Sequence, residues 1–239
     1  MRIAILQTDH IAEAVQDRFV DYPEMFQRVF ARVDAELSWC AYDVQLALPE
    51  NIDCDAYLIT GSRHSVYDDL PWIGELVEFL RAAMEQGAKV VGICFGHQLM
   101  AHFFGGHTES ADVGWGVGVH GQDVVKQQSW MRGEDQVTPA TISLLCSHKD
   151  QVTEMPAGAE LFLSSEFCPI AGFTMADQVI TVQGHPEFTK EYSGALLEVR
   201  RDLLGESVYA AGKQSLAQPT DEELMARWIV NFLKQKEMA

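Results

Sequence analysis

A cysteine set between two glycines is the first residue of this sequence that could do covalent chemistry. In Gly92-Ile93-Cys94-Phe95-Gly96-His97-Gln98 the thiol closes the apolar run KVVGIC (89–94) and opens FGHQLMAHFFGG. Small residues two positions to either side permit the sharp strand-to-helix turn of a nucleophile elbow, which lifts the side chain above a sheet. A thiolate placed there lies at the positive end of a helix dipole, which favours the charged, attacking form. Burial as a small hydrophobe is the ordinary fate of a cysteine. Cys40, Cys54, Cys146 and Cys168 lack the glycine setting and are read that way.

A nucleophilic thiol needs a base, and the base needs something to orient it. TVQGHPEF (181–188) supplies both. Pro186 steers His185 towards extended backbone, and residues two apart along an extended segment face the same side. Glu187 can then accept one ring N–H of His185, leaving the other nitrogen to exchange a proton with Cys94.

These groups must be carried by elements that the sequence pattern also marks. RIAILQT (2–8), DVQLALP (43–49), AYLIT (56–60) and KVVGIC (89–94) read as buried parallel strands. YPEMFQRVFARVDAEL (22–37) and PWIGELVEFLRAAMEQG (71–87) read as helices with proline near the start, the second followed by Gly87 at its C′ position. A third, FGHQLMAHFFGG, is closed by Gly105 and Gly106. This alternation predicts an α/β fold with three layers, a doubly wound and mostly parallel sheet with helices on both faces. Beyond residue 106, WGVGVHGQDVVK, PATISLLCSH, ELFLSSE, PIAGFTM and QVITVQGHPEF read as short strands, forming a small antiparallel patch before a return to the main sheet. The expectation is one domain over 1–239 with a C-terminal helical extension at about 189–239. The extension ends in a helix with Thr220 and Glu223 as a capping box and Leu224, Trp228 and Phe232 on its apolar side.

Composition excludes several classes of partner. Asp and Glu number 35 against 17 Lys and Arg, a formal charge of −18, so phosphate backbones and anionic lipid are repelled. Neither nucleic acid nor membrane is expected as a partner. The opening MRIAILQTDH turns polar too soon for a signal peptide and no run spans a bilayer, which points to the cytoplasm. His97, His102 and His107 stand five apart and rotate around a helix, so no metal site is expected.

The two motifs together carry a resemblance. GICFGHQ, followed some ninety residues later by QGHPE, resembles the class I, triad-type glutamine amidotransferases, especially the glutaminase domain of GMP synthase and its stand-alone relatives, over roughly residues 43–190. The resemblance implies a flavodoxin-like fold and a Cys94–His185–Glu187 triad. It implies an oxyanion hole with the Phe95 backbone N–H as one donor and LITGSRHS (58–65) as the source of the second. Where family members often show two or more glycines this chain has Gly-Ser-Arg, so Gly61 and Ser62 both stay open as that donor. Gln98 is carried over as a substrate-binding side chain, and Ser147 and His148 of LLCSHKD as the segment meeting the substrate's α-carboxylate end. Lys149 joins them, and with Arg63 it hints at an anionic substrate larger than glutamine. Gly114-Trp115-Gly116 borders the pocket or, the commoner outcome, simply buries its tryptophan.

The activity so implied is hydrolysis of a γ-glutamyl amide bond through a cysteine thioester, on a small-molecule substrate, without metal or organic cofactor. As a glutaminase subunit the chain would feed ammonia to a synthetase partner. As a free-standing enzyme it would cleave γ-glutamyl peptides such as glutathione. The fifty or so residues after Glu187 are too few for the ATP-pyrophosphatase and dimerisation modules of GMP synthase. A rival from another class is a non-catalytic or redox-sensing thiol protein on the same fold, which would need Cys94 but neither His185 nor Glu187.

Overall fold

The computed structural model describes residues 1–132 and 137–235. Its centre is a run of parallel strands: β1 (Arg2–Gln7), β2 (Ser38–Asp43), β3 (Ala56–Ile59), β4 (Lys89–Ile93) and the late strand β11 (Val179–Val182), in the order β2-β1-β3-β4-β11. The antiparallel patch is continuous with this sheet. β10 (Gly172–Met175), β9 (Glu160–Ser164), β6 (Gly116–Val124) and β7 (Thr141–His148) pair onward from β11 and complete one nine-stranded sheet. Two strands that escaped the sequence reading, β5 (His107–Ser110) and β8 (Asp150–Glu154), form a small antiparallel sheet of their own.

Strands buried on both faces explain the unbroken apolar runs. Ile3 and Ile5 of β1 join the core beneath α1 (Tyr22–Ala31), α4 (Lys190–Val199) and α7 (Glu222–Lys234). Ala4 and Leu6, pointing the other way, join the core under α2 (Pro71–Glu85) and α3 (Phe95–Phe103). Between α4 and α7 come the short helices α5 (Arg201–Leu204) and α6 (Glu206–Ser215), and α6 runs beside β6, where the Val119 N–H donates to Ser215 Oγ at 2.9 Å. No helix among the described residues is long and apolar enough to cross a membrane.

Three expectations need correction. The second strand is Ser38–Asp43, not 43–49. The alternating Val44, Leu46 and Leu48 imitate a strand, but Asp43 turns the chain: its Oδ1 accepts from Gln45 N at 3.0 Å and its carbonyl from Leu46 N and Ala47 N. Likewise α1 stops at Ala31 instead of reaching 37, because Asp34 Oδ1 takes the Glu36 N–H and bends the backbone. The capping box of α7 does not form. Asp221 is the N-cap residue, and its carboxylate and N–H are both committed to the backbone of Ser143 in β7, at 2.7 and 2.8 Å. A tertiary contact has outcompeted a local one.

Candidate active site

Cys94 stands between β4 and α3 with φ 52° and ψ −98°, a backbone conformation that side chains with a Cβ rarely adopt. Ala176 is the other described non-glycine residue at positive φ. The flanking glycines are there because backbone presses on backbone. A Cβ on Gly92 would lie 2.6 Å from the Gly96 carbonyl oxygen, and one on Gly96 would lie 2.7 Å from that of Ile59. The turn is pinned by Cys94 N donating to Val182 O at 2.9 Å and by Gln98 N donating to Cys94 O at 3.0 Å, the first bond of the helix. Phe95 follows as the first helical residue, in the turn whose N–H groups have no acceptor within the helix.

β11 delivers the second motif beside it. The His185 N–H donates to Leu145 O of β7 at 2.8 Å, an isolated bridge that fixes the backbone past the strand end. His185 Nδ1 donates to Glu187 Oε1 at 2.8 Å, with the two side chains only 4% and 0% exposed. Phe188 stacks flat on the imidazole, the ring centroids 3.9 Å apart and the planes 9° from parallel. The other carboxylate oxygen, Glu187 Oε2, is buried without a hydrogen-bond partner, so little else draws on the charge facing the ring. His185 Nε2 is also buried and makes no hydrogen bond of good geometry. Gly61 shows how close the thiol comes: a Cβ built on it would sit 2.9 Å from His185 Cε1 and 3.8 Å from Cys94 Sγ. Burial opposes a charge on the imidazole, but Glu187 and the Cys94 sulfur more than offset it and raise the His185 pKa to about 10.

The loop after β3 has its Gly61 carbonyl firmly held. The Gly61 carbonyl accepts from Thr8 Oγ1 at 3.0 Å and Thr60 Oγ1 at 3.2 Å, both threonines being fully buried. In a planar trans peptide the C=O and the following N–H point in opposite directions. Holding the Gly61 oxygen against two hydroxyls therefore turns the Ser62 N–H the other way, and Ser62 shares a cleft with Cys94. Thr8→Val keeps the shape and removes one of the two hydroxyls. Losing one hydrogen bond of ~1 kcal/mol on that peptide should lower kcat roughly fivefold with KM little changed. Steady-state kinetics check this; an unaltered kcat would mean that the peptide needs no such anchor.

A cleft of about 380 Å³ opens over Cys94 and gathers the remaining candidates Ser62, Gln98, Ser147, His148 and Lys149. Gln98 is 4% exposed and both its amide N–H bonds are taken, by Asp150 O at 2.8 Å and Gln183 Oε1 at 3.0 Å, so only its oxygen is left to meet a ligand. His148 donates from Nδ1 to Asp150 O, and burial lowers its pKa to about 3, so the ring is neutral. Lys149 is exposed at the rim. Trp115 is half-buried and lines the cleft, so it borders the pocket instead of disappearing into the core. Arg63 does not offer a free charge. Asp9, 6% exposed, holds it in a two-pronged pair at 2.8 Å, and although burial opposes the Asp9 charge, Arg63 keeps that carboxyl below its usual range.

Sequence reading missed Asp9, His10, Tyr22 and Arg200, all of which line the cleft. For Asp9 and His10 a signal was available: they follow β1, and ligands of open α/β sheets gather past the carboxyl ends of parallel strands. Arg200 and Tyr22 carry no local mark. A larger cavity of about 510 Å³ lies between α1 and residues 186–189, touching Glu187 but not Cys94 or Gln98, so the smaller cleft is the one over the thiol. His97 is tied to Thr181 Oγ1 and Ile170 O, and among the described residues no three His, Cys, Asp or Glu side chains group as metal ligands.

A doubly wound sheet that lifts a strained thiol to its edge, with an imidazole and a carboxylate arriving from a later strand, has the build of a thiol-dependent hydrolase. Sequence comparison narrows the class. The chain belongs to the glutamine amidotransferase class-I family, whose profile matches residues 14–199. It is 30% identical to γ-glutamyl peptidase 3 of Arabidopsis thaliana across 98% of this chain and 96% of that protein. With the glutamine-hydrolysing GMP synthase of an Azoarcus species it shares 33% identity over 72% of this chain, spanning 33% of that longer protein. The crystal structure of a glutamine amidotransferase from Thermotoga maritima shares the fold, with a TM-score of 0.75 over 98% of both chains at 16% identity.

Proposed function

We propose that this chain is a γ-glutamyl peptide hydrolase with Cys94 as nucleophile, His185 as proton carrier and Glu187 as the carboxylate that orients it. The observation that carries the reading is the buried 2.8 Å His185–Glu187 pair set against the same glycine as the strained Cys94. Cys94 Sγ adds to the γ-carbonyl carbon, and the oxyanion is met by the backbone N–H groups of Ser62 and Phe95. The tetrahedral adduct collapses as the His185 imidazolium gives its proton to the departing amine, leaving a γ-glutamyl thioester. Water, deprotonated by the now neutral ring, attacks the thioester, and glutamate leaves as the thiol is restored.

The peptide substrate is favoured over glutamine by two features. Similarity to γ-glutamyl peptidase 3 runs along 98% of this chain, against 72% for the GMP synthase. The cleft also carries two cations, Lys149 and Arg200, that no carboxylate among the described residues occupies. Supply of ammonia to a synthetase partner is the second reading, supported by that GMP synthase match. A redox-sensing thiol would have no use for the His185–Glu187 pair, which weighs against it. Five free cysteines support a reducing, cytoplasmic setting.

The test is turnover by the purified chain of γ-glutamylalanine and glutamine, followed by glutamate release. A kcat/KM at least about tenfold higher for the peptide, some 1.4 kcal/mol of transition-state binding, is expected. A preference for glutamine would transfer the chain to the ammonia-supplying branch, and inertness towards both would remove the hydrolase reading.

A further inference from the structure

Two of the cations around the cleft are already neutralised by the chain. Arg63 is paired with Asp9, and His10 is bonded through Nδ1 to Asp21 and through Nε2 to Asp43, which raise its pKa. Arg200 and Lys149 differ. Neither has an Asp or Glu oxygen within ion-pair distance among the described residues, although acidic side chains outnumber basic ones by 35 to 17. Arg200 is held by neutral groups: Nη1 donates to Ser147 Oγ at 2.7 Å, and the guanidinium carbon lies 5.7 Å from the Trp115 ring centroid. One of five N–H donors is thereby used and the planar fork keeps the rest for an outside acceptor.

The two cations come from different elements, Lys149 from the link between β7 and β8 and Arg200 from the end of α4. Lys149 adjoins His148 and Asp150, whose carbonyl binds Gln98 on the nucleophile's helix. Arg200 ends α4, beside Leu196, the 64%-exposed Leu203 and half-buried Trp115, an apolar surface at the mouth of the cleft. Glutamine carries one carboxylate and would satisfy one cation. A γ-glutamyl peptide with a free C-terminus carries two, with a side chain between them for the apolar wall.

Building on the hydrolase reading, we infer that Arg200 binds the terminal carboxylate of the leaving peptide, making the substrates γ-glutamyl peptides with a free carboxyl end. Lys149 then faces the α-carboxylate of the γ-glutamyl group. Arg200 acts in binding and takes no part in proton transfer or attack.

The experiment compares γ-glutamylglycine with γ-glutamylglycinamide, which differ only in that terminal charge, on the full chain, Arg200→Gln and Arg200→Lys. Wild type should prefer the acid about 10- to 100-fold in kcat/KM, as expected for a charged hydrogen bond. Arg200→Gln should collapse the preference through a higher KM for the acid, and Arg200→Lys should restore part of it. Equal losses on acid and amide in Arg200→Gln would overturn the inference, since a prop for Ser147 or an α-carboxylate ligand behaves that way. So would a wild type indifferent to the terminal charge. Inertness of wild type towards both compounds would instead strike at the hydrolase reading beneath it.

Discussion

Cys94→Ala is expected to eliminate turnover, with a loss of roughly a millionfold in kcat, the scale on which removing a nucleophile is felt. The effect is this large because the substitution removes the covalent route itself, leaving only the oxyanion donors and binding contacts. It also leaves the fold alone, since alanine keeps the Cβ and with it the strained φ of 52°. Thermal melts of the two proteins should therefore coincide closely. Cys94→Gly should be as inactive but more stable, because glycine adopts positive φ without a Cβ penalty and releases strain of about 1–3 kcal/mol. A glutamine-analogue electrophile such as a diazoketone should add one mass label to wild type at Cys94 and none to either variant. Retention of γ-glutamyl hydrolysis by Cys94→Ala would end the assignment.

Glu187→Gln is expected to cost about 10⁴-fold in kcat, as when the orienting carboxylate of a hydrolase triad becomes an amide. In wild type the carboxylate lies 2.8 Å from Nδ1 and opposes the burial that would otherwise keep the ring neutral. The amide is neutral and can present a donor to Nδ1, favouring the wrong tautomer. The pH dependence follows with a definite sign. His185 is raised from 6.5 to about 10 in the folded protein, so its charged form contributes stability that is full below 6.5 and is lost as pH climbs through about 10. In Glu187→Gln most of that contribution goes. The difference in melting temperature between wild type and variant should be greatest on the acid side and shrink as pH approaches 10. The alkaline limb of kcat should move to lower pH in the variant, because the imidazolium that protonates the leaving amine is discharged earlier. Melts and pH–rate profiles that overlay those of wild type would show that the carboxylate does not set the charge of the ring.

The same distinction between chemistry and its setting governs what could be read in advance. The elbow was legible because its constraint is local: backbone contacts 2.6 and 2.7 Å from would-be Cβ atoms at Gly92 and Gly96 allow nothing larger, and that leaves a written pattern. His185 and Glu187 were legible because a proline and a two-residue spacing put them on one side of an extended segment. Element boundaries were less so wherever a side chain intervened. Asp43 and Asp34 each captured a backbone N–H and bent a segment whose apolar spacing promised strand or helix. Asp221, spent on Ser143 across the molecule, displaced a plausible cap.

By itself the sequence determined the alternation of strands and helices, the cysteine with its glycines, and the histidine and glutamate that pair near it, since each depends on neighbours within a few positions. Only the tertiary structure decided that the Gly61 carbonyl is held by Thr8 and Thr60, that Arg63 is cancelled by Asp9, and that Arg200 and Trp115 complete the cleft. Those outcomes depend on which charges and hydroxyls the packed sheet brings together. Thr8 and Thr60, or Ser147 and Arg200, lie more than fifty positions apart and meet only after folding.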